Sequence, residues 1–313
     1  MQSPYPYPYT ASNDGKEIRL EAPVPFSFDQ NLSYLSRAAG ESMHRVLNGC
    51  VRKAILVPNE TEAALIEVDG QEDGLTIRFL SPDRPQAPEA LQAAADYIAE
   101  WFDLRNDLKP FYKLAEHDPL LQPTIESYWG LRTIGIPDLF EALCWGIIGQ
   151  QINLPFAYTL KRRFVERYGE AVVYDGESYW LFPEPETVAT LTVEQLTELQ
   201  LTSRKSEYLI GVAGLIAEGT LTKEKLLAAG GLKAAERMLV GIRGIGPWTA
   251  NYVLMRCLRS PDAFPIDDVG LHNAIKHVAE MDRKPTKDEI TAMSAEWSGW
   301  EAYATFYLWR LLY

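Results

Sequence analysis

The sequence predicts an α+β fold in which an N-terminal domain of antiparallel sheet and helices precedes two all-α domains. Three observations indicate this class. Short strand-like runs separated by turn dipeptides fill the first hundred residues, and apolar residues at helical spacing fill most of the rest. The length of 313 residues also exceeds what one small core holds, so two or three domains are expected.

Strand-like patterns run from Ile18 to Leu80. The dipeptide Asn48-Gly49, inside the run Met43–Val57, is the pair favoured in a type I′ hairpin turn. Helical spacing follows at 89–104, after the last of these strands. We therefore assign residues 1–105 to a domain of antiparallel sheet plus helices.

An aromatic tail precedes the sheet. Tyr5-Pro6-Tyr7-Pro8-Tyr9 alternates tyrosine with proline, which is typical of an extended polyproline II segment. We expect a flexible, disordered arm, and an arm that contacts a binding partner is the alternative.

Helical periodicity dominates from residue 110 onward, where Pro247 suits the first turn of the helix that it begins. The segment Tyr174–Pro185, with Gly176 and two prolines, is predicted to be a loop. The predicted helices lie at 110–117, 138–150, 154–168, 187–190, 193–199, 204–218, 222–228, 232–241, 247–258, 268–280, 286–296 and 300–312. We divide this part of the chain into a helical domain at 139–260 and a second helical domain made of 106–138 and 261–313.

Charge and cysteine content limit the classes of function. The net charge is −13, but residues 201–313 hold 14 Lys and Arg against 13 Asp and Glu, so this last third is close to neutral. Such a distribution is compatible with a confined binding site for a polyanion and a modest salt dependence. Three widely separated cysteines provide neither a disulfide framework nor a CxxC metal site, and His272 and His277 lack metal-ligand spacing.

No apolar run approaches the roughly 18 to 20 residues that a membrane span requires. The first sixteen residues, MQSPYPYPYTASNDGK, lack the apolar core of a signal peptide. We therefore expect a cytoplasmic protein that makes no contact with membranes.

The stretch GIRGIGPWTA, Gly241–Ala250, interrupts two helical segments with three glycines. A dinucleotide-binding motif does not fit, because Thr249 occupies the last glycine position and a helix rather than a strand precedes it. A Walker loop does not fit either, since no GK[ST] follows. A helix, a tight hairpin and a second helix remain, with glycines that allow positive φ and N–H groups beside a helix N-terminus that attract an anion. A plain αα turn with a glycine cap is the alternative.

This stretch and the residues downstream of it resemble the helix-hairpin-helix DNA glycosylase superfamily. The hairpin, a proline-bearing loop and an aspartate 22 residues after Gly246 are arranged in the order of that family's signature. The sequence is most similar to the bacterial 3-methyladenine DNA glycosylase II (AlkA-type) branch, through Ala142–Phe164, Gly244–Asp268 and Trp297–Trp309. The resemblance spans most of the chain and includes the sheet-bearing first hundred residues.

The resemblance implies that Asp268 is the catalytic carboxylate, with Asp267 as the alternative and a helix cap as the purely structural interpretation. Members that also nick the DNA backbone carry a lysine two residues after the last hairpin glycine, where this chain has Trp248. We therefore expect a monofunctional enzyme that leaves an abasic site. Because the iron–sulfur branches of the superfamily need four cysteines, we expect no cofactor, and we expect no metal.

By the same resemblance, Trp248, Tyr252 and Trp309 line the pocket for a flipped base, although core packing is the alternative for each. Aromatic faces suit alkylated purines, since N3 or N7 methylation makes the base cationic. The residue that fills the gap in the base stack corresponds to Gln151, where well-known members have an apolar residue. Ile152 is the second candidate for this wedge.

DNA contact is assigned to Arg243, Gly244, Ile245, Gly246 and Thr249, with backbone N–H groups of the two glycines, and of Thr249, at phosphates. Two basic clusters, Lys161-Arg162-Arg163 and Ser203-Arg204-Lys205, are further candidates, or else solvated surface.

The function expected is excision of alkylated bases from duplex DNA by a monomer. The alternatives are a glycosylase for oxidised or deaminated bases and a non-catalytic module that binds DNA or senses lesions. An aspartate at the right spacing after the hairpin favours an enzyme, because a module that only binds DNA has no use for it.

Overall fold

An antiparallel sheet forms the N-terminal part of the fold in the computed structural model, which describes residues 6–57, 63–71, 73–80 and 87–312. Within these residues the strands follow the order β1-β2-β6-β5-β4-β3, with every neighbouring pair antiparallel. The strands are β1 (Thr10–Ala11), β2 (Glu17–Glu21), β3 (Arg45–Leu47), β4 (Cys50–Ile55), β5 (Ala64–Gln71) and β6 (Gly74–Phe79).

The predicted hairpin turn is confirmed between β3 and β4. Asn48 and Gly49 both have positive φ, 50° and 80°, as a type I′ turn requires. Along β2, buried Ile18 and Leu20 alternate with outward-facing charged residues, so that one face of the sheet packs on the core. Helices α1 (Phe28–Ser36) and α2 (Pro88–Trp101) pack against the sheet.

The tyrosine-proline tail is packed over residues 6–9, so the expectation of a disordered arm is wrong there; Tyr5 lies outside the described residues. The Tyr7 backbone N–H donates to Asp96 of α2 at 2.7 Å, and the Tyr7 hydroxyl donates to the Glu21 carbonyl at 2.6 Å. The guanidinium of Arg105 lies 5.3 Å from the Tyr7 ring centre. A proline-rich pattern predicts an extended backbone correctly but says nothing about these side-chain partners.

The rest of the described chain is mainly helical, and the side chains of Thr222 and Thr286 each cap the helix that follows. The later helices are α3 (Lys109–Ala115), α4 (Gln122–Ser127), α5 (Leu139–Ile148), α6 (Leu154–Tyr168), α7 (Pro185–Ala189), α8 (Val193–Thr197), α9 (Ser203–Ala217), α10 (Lys223–Leu227), α11 (Leu232–Val240), α12 (Pro247–Arg256), α13 (Val269–Val278), α14 (Lys287–Met293) and α15 (Glu301–Arg310), with a 3₁₀ turn at Ala295–Trp297.

The predicted loop at Tyr174–Pro185 is wrong over its first half. Strands β7 (Ala171–Tyr174) and β8 (Glu177–Trp180) form a hairpin across Asp175-Gly176, both of which have positive φ. Asp-Gly is itself a hairpin signal, and Tyr179 is buried in one cluster with Ala54 and Leu65 of the larger sheet. Tertiary packing on that sheet therefore stabilises a hairpin too short to be stable alone.

One continuous apolar cluster joins the parts of the fold, from Leu20 in the sheet through Ile147 in α5 to Phe306 in α15. The proposed division into residues 1–105, 139–260 and 106–138 with 261–313 stays a prediction. No described helix is long and apolar enough to cross a membrane.

The fully buried Arg132 ties the segment before α5 to the sheet region. Its Nη1 donates to the carbonyls of Asp103 and Asn106, and its Nη2 donates to the carbonyls of Pro23 and Pro25, at 2.6 to 3.1 Å. A single side chain thus satisfies four carbonyls from two parts of the chain.

Replacing Arg132 by methionine keeps the buried volume but leaves those four carbonyls without their donor. We expect Arg132→Met to lower the free energy of unfolding by about 2 kcal/mol, measured by urea denaturation. Arg283→Met removes an exposed arginine and serves as the control, with no measurable change in stability expected. Equal stability of the two variants would show that Arg132 contributes little.

Candidate active site

The glycine stretch forms the predicted hairpin between α11 and α12. Gly244 has φ +96°, whereas Gly241 and Gly246 have φ near −66° and −89°, so only the middle glycine needs left-handed backbone. A Cβ on Gly244 would lie 2.3 Å from the ring of Tyr208. The Ile245 side chain is buried.

Backbone N–H groups of this hairpin are available to an anion. Within the described part of the chain, the N–H groups of Gly244, Gly246 and Thr249 have no hydrogen-bond partner, whereas that of Ile245 donates to Ile242. No heavy atom lies within 4 Å of the point where a Cβ on Gly246 would stand, so a ligand can approach closely. The dipole of α12 adds to the attraction for an anion at this end of the helix.

Gln150 joins the hairpin to the turn after α5. Its Nε2 donates to the Gly244 carbonyl at 2.9 Å and to Thr249 Oγ1 at 3.2 Å. The next residue, Gln151, is exposed and has φ +57°, while Ile152 is partly buried against the core. Of the two wedge candidates, Gln151 is therefore the one that projects from the surface.

Asp268 accepts three hydrogen bonds. Its Oδ2 accepts from Trp248 Nε1 at 2.8 Å, and its Oδ1 accepts from Trp309 Nε1 and from the Leu271 backbone N–H, both at 2.7 Å. The carboxylate thus caps α13 and also binds one indole from α12 and one from α15. From the sequence, Asp268 was interpreted either as a helix cap or as a residue of the pocket. Its side chain makes the contacts that both interpretations require.

The contacts of the Asp267 side chain differ from those of the Asp268 side chain. Asp267 is exposed and forms an ion pair with Lys287 at 2.5 Å, whereas both indoles donate to Asp268. A Cβ on Gly270 would lie 2.9 Å from Asp268 Oδ1 and 3.2 Å from the Trp309 indole. A residue with a side chain at position 270 would therefore disturb the geometry that holds Asp268.

Three aromatic rings lie next to one another beside the Asp268 carboxylate. Trp248 and Tyr252 stack with ring centres 5.5 Å apart, and the Trp309 ring lies 6.4 Å from that of Tyr252. The Tyr252 hydroxyl accepts a hydrogen bond from Arg256 Nη1 at 3.1 Å. Burial raises the pKa of Tyr252, so its hydroxyl is protonated at neutral pH.

These groups line one cavity of about 780 Å³, a size that accommodates a nucleotide-sized ligand. Asp268, the three predicted aromatic residues and both wedge candidates are among its lining residues. A second cavity of about 810 Å³ shares Trp248 and Asp267 with the first but is not lined by Asp268. The candidate active site is therefore the first cavity.

Sequence comparison identifies the family of this chain. Residues 144–299 match the HhH-GPD superfamily of base excision DNA repair proteins, and residues 41–143 match the N-terminal domain of 8-oxoguanine DNA glycosylase. A DNA-3-methyladenine glycosylase of Bacillus subtilis (strain 168) is 50 % identical over 296 residues, which are 95 % of this chain and 97 % of that protein. The chain belongs to the HhH-GPD superfamily and is a DNA glycosylase.

Solved structures share the fold of this glycosylase. A 3-methyladenine DNA glycosylase from Archaeoglobus fulgidus matches with a TM-score of 0.79 at 23 % identity, over 93 % of this chain and 97 % of that one. An 8-oxoguanine glycosylase/lyase of Clostridium acetobutylicum in complex with double-stranded DNA matches with a TM-score of 0.72 at 18 % identity, over 98 % of both chains.

Each of the two basic clusters of the glycosylase has one buried lysine, whereas Arg162 and Arg204 are exposed. Lys161 is buried and paired with Glu141 at 2.9 Å and Glu41 at 3.3 Å; burial alone would lower its pKa, but the two carboxylates outweigh burial and raise it. Lys205 is buried and donates to the Ile148 carbonyl at the end of α5. Arg243, in contrast, is exposed and paired with Glu207 at 2.6 Å.

Several site residues of the glycosylase were missed in the sequence. Arg256 follows Trp248 and Tyr252 at four-residue steps, so helical spacing alone could have identified it. Tyr34 and Arg37 lie on the N-terminal side of the chain, more than 200 residues before the hairpin, and no local pattern connects them to the cavity that they line.

The hairpin glycines provide a stability test. Gly244→Ala places a methyl group against Tyr208 at a φ that L-residues rarely adopt, so we expect the free energy of unfolding to fall by about 2 kcal/mol in urea titrations. Gly246→Ala, at negative φ in open space, is the matched control and should change it by less than about 1 kcal/mol. Equal losses would contradict the assigned backbone geometry.

Proposed function

We propose that this glycosylase flips alkylated bases out of duplex DNA and hydrolyses their N-glycosidic bond without nicking the backbone. One observation carries the proposal: the Asp268 carboxylate, held by two indoles and a backbone N–H, lies at the wall of a cavity large enough for a flipped nucleotide. The 50 % identity to a DNA-3-methyladenine glycosylase supports alkylated bases as the substrate class.

The carboxylate stabilises positive charge on the sugar. Loss of the base gives C1′ oxocarbenium character, and a carboxylate held nearby lowers the energy of that state or assists the attacking water. Because the indole donors already fix both oxygens, Asp268 needs little reorganisation when the charge develops. An N3- or N7-alkylated purine is a cationic leaving group, so this electrostatic assistance is sufficient.

Water is the acceptor in the proposed reaction. Trp248 stands where the nicking members of the superfamily have a lysine, and its indole donates to Asp268. With no amine at this position, no covalent imine with the sugar forms and the product is an abasic site on an intact strand.

The aromatic residues hold the flipped base. Trp248, Tyr252 and Trp309 present adjacent ring faces, and stacking of a cationic base on such faces contributes roughly 0.5–2 kcal/mol. Gln151, exposed at the tip of the turn after α5, fills the gap that the flipped nucleotide leaves in the base stack.

The hairpin binds the DNA backbone in this proposal. The unpaired N–H groups of Gly244, Gly246 and Thr249 contact phosphate oxygens, with Arg243 at the edge of the same surface. These contacts involve backbone N–H groups and one arginine side chain, which is consistent with the net negative charge of the chain. The protein acts on duplex DNA as a monomer, without a cofactor or bound metal.

A second candidate is excision of oxidised bases, because residues 41–143 match the N-terminal domain of 8-oxoguanine DNA glycosylase. Such an enzyme would keep the Asp268 carboxylate and change the pocket. Trp248 argues against an oxidised-base glycosylase that is also a lyase, because the nicking members have a lysine at this position.

Asp268→Asn tests the proposal directly. The amide keeps the shape of the side chain but removes its negative charge, so we expect base release from methylated duplex DNA to fall by about 10²–10³-fold under single-turnover conditions. DNA binding, followed by fluorescence anisotropy, shows whether the variant still forms the complex. An abasic product on an unbroken strand is expected for the wild type.

Asp267→Asn is the matched control, since it removes a carboxylate that lines the same cavity but pairs with Lys287, whereas both indoles donate to Asp268. We expect it to retain more than half of the wild-type rate. Full activity of Asp268→Asn, or strong loss in Asp267→Asn, would move the catalytic role to another carboxylate. Binding of DNA without any base release by the wild type would favour the non-catalytic alternative.

A further inference from the structure

We infer that Lys205 is a positioning residue for base flipping, because its ammonium group holds the turn after α5 in the conformation that presents Gln151 to the base stack. The inference rests on the proposed function and deepens it by naming a contact on which the wedge depends. It follows from three hydrogen bonds that fix this turn, donated by Lys205 and Gln150, and from the burial of a lysine that has no carboxylate partner within the described residues.

Lys205 lies in the first turn of α9 and reaches the end of α5. Its Nζ donates at 2.8 Å to the carbonyl of Ile148, the last residue of α5. A cation at this end of a helix is stabilised by the helix dipole and satisfies a carbonyl that has no partner inside the helix. In the first turn of α9 the same charge is unfavourable for α9 itself. The contact therefore serves α5 and the turn that follows it.

The Lys205 side chain is buried without a carboxylate partner. No carboxylate oxygen lies within 4 Å of its Nζ in the part of the chain that the structure describes. Burial lowers the pKa of Lys205, since taking an ammonium group out of water disfavours its charged form. Such burial is unfavourable for folding. Stability alone therefore does not account for a lysine at this position.

Lys225 shows how a lysine binds carbonyls at a helix end without being buried. Its Nζ donates to the carbonyls of Gly219 and Thr220, just after α9, at 2.6 and 3.3 Å. Lys225 is exposed, and both carbonyls lie within 6 residues of it in the chain. Lys205, in contrast, binds a carbonyl 57 residues earlier and joins two helices. Lys225 is therefore a matched control for the capping part of the contact.

The hairpin provides a second contact to the same turn. Gln150 Nε2 donates to the Gly244 carbonyl at 2.9 Å and to Thr249 Oγ1 at 3.2 Å. Thus α9 holds the turn at Ile148, and the hairpin holds it at the residue directly before Gln151. The position of Gln151 relative to the hairpin depends on both contacts.

Gln151 has a backbone conformation that requires such contacts. Its φ is +57°, in a region that residues with a side chain rarely adopt. A strained conformation persists only where the surrounding structure fixes it. The Gln151 side chain is exposed and makes no hydrogen bond to the described residues, so it does not hold itself in place. The contacts at Ile148 and Gln150 therefore determine how Gln151 projects.

Loss of the Lys205 contact should affect flipping rather than bond cleavage. Lys205 is not among the residues that line the candidate active site, whereas Gln150 and Gln151 are. The three donors to the Asp268 carboxylate come from other helices. Removal of the ammonium group should therefore slow base release where a wedge must fill a gap in the base stack, and much less where no gap forms.

A DNA strand with a single 7-methylguanine tests this when it is annealed to two different complements. The full complement pairs the lesion with cytosine, so flipping leaves a gap in the base stack. A complement that lacks this cytosine places the lesion in a single-nucleotide bulge, and flipping leaves no gap there. Single-turnover rate constants for base release are measured on both substrates with excess enzyme. The ratio of the two rate constants, paired over bulged, is the readout.

We expect Lys205→Met to lower this ratio by about tenfold, because a hydrogen bond from a charged donor is lost and the turn is no longer fixed. Gln151→Ala, which removes the wedge itself, should lower the ratio by at least as much. Lys205→Arg keeps a cationic donor and should lower it by less. Lys225→Met should leave it unchanged.

An unchanged ratio in Lys205→Met, with both rates equal to those of the wild type or both reduced alike, would overturn the inference and make Lys205 a helix cap only. A ratio that falls in Lys205→Met but not in Gln151→Ala would overturn it as well, since the turn would then act through another residue. Failure of the wild type to release 7-methylguanine from either substrate would contradict the proposed function and the inference with it.

The ratio also separates positioning from folding. Both rate constants come from the same protein sample, so an unfolded fraction lowers them alike and leaves the ratio unchanged. Thermal denaturation identifies a variant that fails to fold, and Lys205→Arg, which keeps the charge, then carries the comparison.

Discussion

The three hydrogen bonds to Asp268 are the constraint on which the active site depends. They join the start of α13 to one indole in α12 and another in α15, so three helices must keep their relative positions for one carboxylate to be held. Gly270 makes this possible, because a side chain there would collide with Asp268 and Trp309. Orientation of the carboxylate before the substrate binds is the form of assistance that an oxocarbenium-like transition state needs.

The surface that we propose to meet DNA is connected to Asp268 through few atoms. Gln150 bonds to the hairpin carbonyl of Gly244 and to Thr249, so the turn that carries Gln151 and the hairpin share one fixed geometry. Gly146 of α5 also packs against Thr249, where a Cβ would lie 2.6 Å from the threonine methyl group. The elements proposed to contact the DNA backbone and to fill the base stack therefore meet at α12, which also provides one of the indoles that hold the carboxylate.

The sequence predicted the elements of this site better than their surroundings. Periodicity and glycine spacing located α11, the hairpin and α12, because those signals are local, and the resemblance to a family added Asp268 and the aromatic residues. Tyr34 and Arg37 could not be found in this way, since only the packing of α1 against α12 and α15 brings them to the cavity. The packed tail at Tyr7 was missed for the same reason, because partners distant in sequence stabilise it. The hairpin at Asp175-Gly176 was missed although Asp-Gly is a local hairpin signal.

The central claim is that the indoles act through the Asp268 carboxylate, and a double-mutant cycle between Trp309→Phe and Asp268→Asn tests it most directly. Phenylalanine keeps an aromatic face but removes the N–H donor, so Trp309→Phe alone should lower the single-turnover rate of base release by about tenfold. In the Asp268→Asn background the same substitution should have almost no further effect, because its target has lost its charge. Independent, multiplying losses would contradict the account and assign Trp309 to stacking on the base alone.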